Sequence, residues 1–142
     1  MDIFEALRKD HDKQRDLLSK LVSTSGDSKS RRKIFEDLKK ELELHADAEE
    51  RYFYVPLIDS DKTQEKARHS IAEHHEIDEF IEKLQDTEMD SSSWLKIAKN
   101  LKERVEHHLE EEEHEVFQMA GKVLSDEQKG TLAEDYRSHM NT

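Results

Sequence analysis

The stretch Ser92-Ser-Trp-Leu-Lys-Ile-Ala-Lys-Asn-Leu-Lys-Glu-Arg-Val-Glu-His-His-Leu-Glu-Glu-Glu-Glu-His-Glu-Val-Phe-Gln-Met-Ala120 decides the fold. Every third or fourth position gives one stripe, Trp94, Ala98, Leu101, Val105, His108, Glu112, Val116 and Met119, with lysines and glutamates between. That is the 3.6-residue period of an amphipathic helix, and no strand alternation competes with it. Ser91 to Ser93 offer N-caps for a helix over about 92–120, and Gly121 suits its end. The stripe is apolar except at His108 and Glu112.

Three further stretches repeat the pattern. Residues about 3–23 carry Phe4, Leu7, His11, Leu18 and Leu21, then stop in the linker Thr24-Ser25-Gly26-Asp27-Ser28. Residues about 30–57 carry Ile34, Leu38, Leu42, His45, Glu49, Tyr52 and Phe53, with Pro56 disfavouring continuation. Residues about 62–87 carry Ala67, Ile71, His74, Ile77, Ile81 and Leu84, and Asp61 with Gln64 resembles a capping box. Ser125 with Gln128 is a second such match, opening a short helix over about 126–138 with Leu132 and Tyr136 facing inward. The expected class is all-α: an antiparallel up-down-up-down four-helix bundle over about 3–120 with a short C-terminal fifth helix, one domain spanning 1–142. A long dimerising coiled coil would not be broken by three loops.

Composition agrees with this reading. Three Gly and one Pro are too few for the tight turns of a β-sandwich or barrel. Charged residues are 41% against 33% hydrophobic, and the net charge of −12 repels nucleic-acid phosphates and anionic lipid headgroups, so neither nucleic acid nor membrane is an expected partner. No apolar run reaches the ~18 residues of a membrane span, and Met1 to Lys13 lacks the basic start and apolar middle of a signal peptide, so a cytoplasmic setting is expected. Helices take up nearly all of the sequence, so a sensing role would require a separate protein partner, which the residues do not identify. Cysteine is absent, which leaves histidine and carboxylate as the only strong metal ligands. Nine histidines in so acidic a chain require an account.

Each of the four long seams contains one histidine where an apolar residue is expected: His11, His45, His74 and His108. A single inward histidine is usually a hydrogen-bonded core residue. Four of them, each within about two residues of its helix midpoint, are different, because at ~1.5 Å rise per residue they fall within ~3 Å of one height. Two are followed on the same face by a carboxylate, in His45-x-x-x-Glu49 and His108-x-x-x-Glu112. A buried carboxylate without a cation is disfavoured by several kcal/mol unless it protonates, and a metal removes that conflict. Six such ligands exceed the need of four-coordinate zinc, and four imidazoles do not suit calcium or magnesium, so two iron ions, or less readily manganese, fit better. The ferritin-like Glu-x-x-His pairing occurs only at Glu111 and His114, off the seam, and His-Glu-x-x-His is absent. An acidic metal-free interaction module, with the seam histidines as buried polar devices, is the remaining alternative.

Asp10-His11, His45-x-x-x-Glu49-Glu50 with its trailing aromatics and Pro56, Glu73-His74 with Ile77, and His107-His108-Leu-Glu-Glu-Glu112-Glu113-His114-Glu115-Val-Phe117 together resemble the hemerythrin-like HHE cation-binding family. The resemblance covers most of the chain and implies a four-helix bundle holding two non-haem irons with carboxylate and oxo or hydroxo bridges. It implies His11, His45, His74 and His108 as ligands and Glu49 and Glu112 as bridges. Oxygen-carrying members place two histidines four apart on the third helix, where this chain has Ser70, His74 and Asp78. Asp78 shares the His74 face and is the candidate replacement, directly or through water; His75 and His107 lie about 100° off the stripe and fit flanking roles. His69, His114 and His139 read as solvent-exposed, Tyr52 as a better supporting residue than Tyr54, and Trp94 and Met119 as plain core. The implied activity is binding of, or reaction with, O2 or peroxide, in oxygen sensing, scavenging or iron homeostasis. A catalase-like or oxidase enzyme is the alternative, because fewer protein ligands leave more open positions.

Overall fold

The computed structural model describes residues 1–142, and every regular element in it is helical. Helix α1 spans Ile3–Val22. Helix α2 begins as Lys29–Glu49, widens into a π-helical turn at Glu50–Tyr54 and resumes at Val55–Ile58. Helix α3 is Gln64–Gln85. Helix α4 repeats the design of α2, with Ser92–Glu111, a π-helical turn at Glu112–Val116 and Phe117–Val123. Helix α5 is Asp126–Met140.

The starts follow local chemistry. Asp2, Ser28, Ser91 and Ser125 accept from backbone amides three residues on, and Ser125 with Gln128 completes a reciprocal capping box. Asp61 does not cap α3. Its N-cap is Thr63, whose hydroxyl donates instead to the Leu57 carbonyl at 2.6 Å, while the Ser60 carbonyl accepts from the Gln64 amide at 2.9 Å. Gly121 lies inside α4, which ends only where Leu124 turns extended. Pro56 does not end α2 at once, because it falls in the first turn of the segment after the π turn, where a missing N–H costs least.

Burial sorts the helix ends into two apolar clusters. One gathers Ile3 and Leu7 from the start of α1, Phe53 and Leu57 from the end of α2, Ala67 from the start of α3 and Val116 and Ala120 from the end of α4. The other gathers Leu18 and Leu21, Phe35 and Leu38, Ile81 and Leu84, and Trp94 and Leu101, the opposite end of each helix. Helix α5 packs on α1 and α2 and adds Ala133 and Tyr136 to the first cluster, with Leu132 half-buried beside it. Met119 is half-buried and lies outside both clusters, whereas Trp94 is fully buried. No helix is long and apolar enough to cross a membrane.

Candidate metal centre

Between the two clusters each long helix contributes a buried histidine, and α2 and α4 add a buried glutamate one turn later. The structure brings all six together. Glu49 and Glu112 are 0% and 1% exposed. Glu49 turns Oε2 toward His45 Nε2 (3.5 Å) and His11 Nε2 (3.9 Å), and Oε1 toward His74 Nε2 (3.1 Å). Glu112 turns Oε1 toward His11 Nε2 (3.2 Å) and Oε2 toward His108 Nε2 (3.4 Å). The imidazoles form two pairs, His11 with His45 and His74 with His108, their ring centroids 5.3 and 4.9 Å apart. Each carboxylate therefore presents one oxygen to each pair, the disposition a carboxylate spanning two cations requires.

The far side of every imidazole is tied down. His11 Nδ1 lies 2.6 Å from Glu113 Oε2, and Arg15 holds that carboxylate in turn. His74 Nδ1 is 3.0 Å from Glu50 and His108 Nδ1 is 2.9 Å from Glu73. His45 differs: its Nδ1 meets the Tyr136 hydroxyl at 2.5 Å, and that hydroxyl donates to Asp10. These acceptors take the Nδ1 protons and leave each Nε2 facing the carboxylates; such a second bond is usual for a metal-binding histidine. The acceptors arrive crosswise. Glu113 follows Glu112 but serves His11, Glu50 follows Glu49 but serves His74, and Glu73 precedes His74 but serves His108.

Without a cation the charges compensate one another. Burial alone would push His45 down, but the Glu49 carboxylate and the nearby Asp10 carboxylate raise it to about 9. His108 is likewise raised to about 10 by Glu112 and Glu73 against burial, and His11 and His74 are raised in the same way by their carboxylates. Burial would raise Glu49, yet the charge on His45 and the closeness of Glu112 and His11 hold it well below its usual range. Burial would also raise Glu113, which His11 and Arg15 bring down to about 2.

Compensation of charge does not satisfy the atoms. Eight buried side-chain nitrogens or oxygens lack a hydrogen-bond partner, and six of them are His11, His45 and His108 Nε2, both Glu49 oxygens and Glu112 Oε1. Native structures rarely leave such groups orphaned. The six approach one another without hydrogen-bond geometry, as groups aimed at a common point do. Two ligands bound at ~2.1 Å to one cation lie roughly 3.0–3.5 Å apart, close to the separations here. Glu49, His74, His108 and Glu112 each offer a ligand atom within 4.8 Å of the others, as do His11, His45 and Glu49. The residues present fit a pair of cations.

Aromatic side chains wall the centre. Phe117 stacks on His11 with centroids 5.9 Å apart, and Tyr54 lies 5.9 Å from His74 while donating its hydroxyl to Glu112. Of the two tyrosines on α2, Tyr54 and not Tyr52 reaches the site; Tyr52 is half-buried against His139. The π turn explains the exchange. It acts as one extra residue in the helix, rotating Tyr52 off the seam and Tyr54 onto it. Burial first, then the Glu112 and Glu49 charges, raise Tyr54 far above a normal phenol, so it keeps its proton. Asp78 is exposed in a surface groove beside Glu50 and Ile81 and does not join the six. His75, His107 and His114 are exposed; His139 is half-buried and pairs with Asp47 at 2.9 Å. His69 is exposed but lies 3.2 Å from Glu111.

Comparison with known proteins points the same way. Residues 2–120 match the model of the hemerythrin HHE cation-binding domain. A crystal structure of a hemerythrin HHE cation-binding domain-containing protein from Mycobacterium kansasii superposes with a TM-score of 0.89 at 22% identity, over 99% of this chain and 86% of that one. At that identity the likeness establishes the fold alone. No curated protein matches the chain.

Proposed function

The chain belongs to the hemerythrin HHE cation-binding domain family, and from that premise we propose that it is a non-haem di-iron protein that binds or reacts with O2 or peroxide, in oxygen sensing, scavenging or iron homeostasis. The observation that carries the proposal is the division of Glu49 and Glu112 between the two imidazole pairs, with six inward atoms otherwise unsatisfied. His11 and His45 would hold one ion, His74 and His108 the other, and both glutamates would span the pair. When bound, two irons supply redox chemistry and Lewis acidity toward a small oxygen species. Glu113, Tyr136, Glu50 and Glu73 hold the Nδ1 protons and so keep Nε2 inward. Phe117 and Tyr54 exclude bulk water, and the Tyr54 hydroxyl keeps a proton beside Glu112. We read the helices as one antiparallel up-down-up-down bundle closed by α5, in a single domain; the segregation of helix ends between two clusters supports this.

Mixing the reduced, iron-loaded protein with O2 in a stopped-flow instrument is expected to change its optical spectrum, and a flat trace rejects dioxygen chemistry. Metal analysis of aerobically purified protein decides between iron and manganese. The catalase-like reading draws support from Asp78, which leaves four imidazoles and two carboxylates as the only protein ligands and about four of roughly twelve coordination positions to other groups. It requires O2 evolution from added peroxide that His45→Ala abolishes.

A further inference from the structure

The His-x-x-x-Glu spacing that builds the buried centre recurs on α3 and α4, shifted outward. His69-Ser-Ile-Ala-Glu73 lies on α3 and His107-His-Leu-Glu-Glu111 on α4, so each helix carries a second histidine and glutamate on one face. The two faces meet. His69 Nε2 is 3.2 Å from Glu111 Oε1 and 3.7 Å from Glu73 Oε1, and His107 Nε2 is 3.4 Å from Glu111 Oε2. His69, Glu73 and Glu111 each offer a ligand atom within 4.8 Å of the others. The cluster is graded in depth, with the side chains of Glu73 and Glu111 5% and 19% exposed at its floor and those of His69 and His107 55% and 66% exposed at its mouth.

Its charge is uncompensated by any fixed cation. On the same two helices Glu76 pairs with Arg104, Glu106 with Lys102 and Glu115 with Lys66. The ion-pair partners of Glu73 and Glu111 are all imidazoles, His69, His107 and His108. We propose that His69, Glu73 and Glu111, with His107 as a fourth donor, form a second, solvent-accessible site for one divalent transition-metal cation. Two carboxylates match a double positive charge, and two imidazoles select a d-block ion over calcium or magnesium. Its links to the buried centre are direct: Glu73 is the acceptor for His108 Nδ1 at 2.9 Å, and His107 and Glu111 adjoin His108 and Glu112 in sequence. A cation on Glu73 is therefore one side chain away from the His74 and His108 pair.

The test is calorimetric titration of Zn2+ into protein whose buried centre is already filled with iron. One further equivalent is expected per chain. His69→Ala at the mouth and Glu111→Gln at the floor, neither of them among the six inward residues, should keep the iron content of the parent but weaken that equivalent by at least the roughly ten- to hundred-fold that supporting residues of metal sites command. His114→Ala, an exposed histidine outside the cluster, should leave it unchanged. A parent that takes up no Zn2+, or one whose further equivalent survives both substitutions, overturns the proposal. Parent protein and His69→Ala without bound iron, titrated in the same way, keep this outcome separate from that of the buried centre, because the equivalent that His69 governs is the difference between the two whether or not the inner residues take up metal.

Discussion

The half of the molecule around Trp94 and the half around Phe53 bury nearly equal apolar clusters, of 13 and 14 residues, yet they are built to different rules. The Trp94 half has continuous α-helices, and its deepest polar contacts are closed: the indole donates to the Leu84 carbonyl at 3.0 Å, and Arg31 lies over the ring while bonding the Met89 carbonyl. The Phe53 half borders the histidine–glutamate layer and contains both π turns. Each begins within one residue of Glu49 or Glu112. One half closes on its own packing and hydrogen bonds, while the other borders the layer that contains six of the eight unsatisfied buried atoms, whose cost a bound cation removes.

Substitution in the Trp94 half should have the largest effect and should ignore metal. Trp94→Ala is expected to cost about 3–5 kcal/mol by chemical denaturation, alike with and without bound metal. Equal loss in both states sharpens the contrast; a loss seen only in the loaded protein breaks it. Chelation should act on the other half. With free metal at a thousand times its dissociation constant, removal costs about 4 kcal/mol, and hydrogen exchange should quicken around Glu49–Leu57 and Glu112–Ala120 while amides near Leu38 and Leu101 stay protected. Uniform quickening would show that the halves are not separable.

The effect of pH follows from the raised histidines. In metal-free protein their charged contacts with carboxylates stabilise fully below the unfolded histidine value of ~6.5 and are lost as pH climbs through about 9 for His45 and about 10 for His108. Metal needs the same nitrogens unprotonated, so it binds more tightly over that interval. The stability gap between loaded and metal-free protein should therefore widen from pH 6.5 to pH 10, measured by thermal melts; a constant gap would contradict the assignment. The smallest effect is expected of Tyr136→Phe, which strips His45 and Asp10 of a shared partner. A loss of about 1–3 kcal/mol and roughly ten- to hundred-fold weaker metal binding are the expected readings, with the Trp94 half unaffected.

The helices and the six inward residues were legible because both depend on a period, and periodicity survives in a linear sequence. Small misreadings came where one side chain had two possible partners: Thr63 bonds Leu57 instead of letting Asp61 cap α3. The larger one came from the π turns, which break the 3.6-residue count after Glu49 and so put Tyr54, not Tyr52, beside Glu112. The outer acceptors left a signal of another kind. Asp10, Glu50, Glu73 and Glu113 each adjoin an inward histidine or glutamate, but the imidazole each supports, directly or through Tyr136, lies on a different helix. No spacing along one helix reveals a contact made across two.

The Tyr136 link has a consequence for the order of assembly. It joins Asp10 on the first helix to a residue 126 positions away, with His45 leaning on the same hydroxyl. Closing so long a loop adds only a logarithmic entropy cost, but contacts between distant segments form slowly. His45, which α5 steadies, and His11, whose partner Glu113 lies 102 positions away, are thus expected to be fixed after His74 and His108. During refolding, helical content should recover first and tight cation capture should trail it.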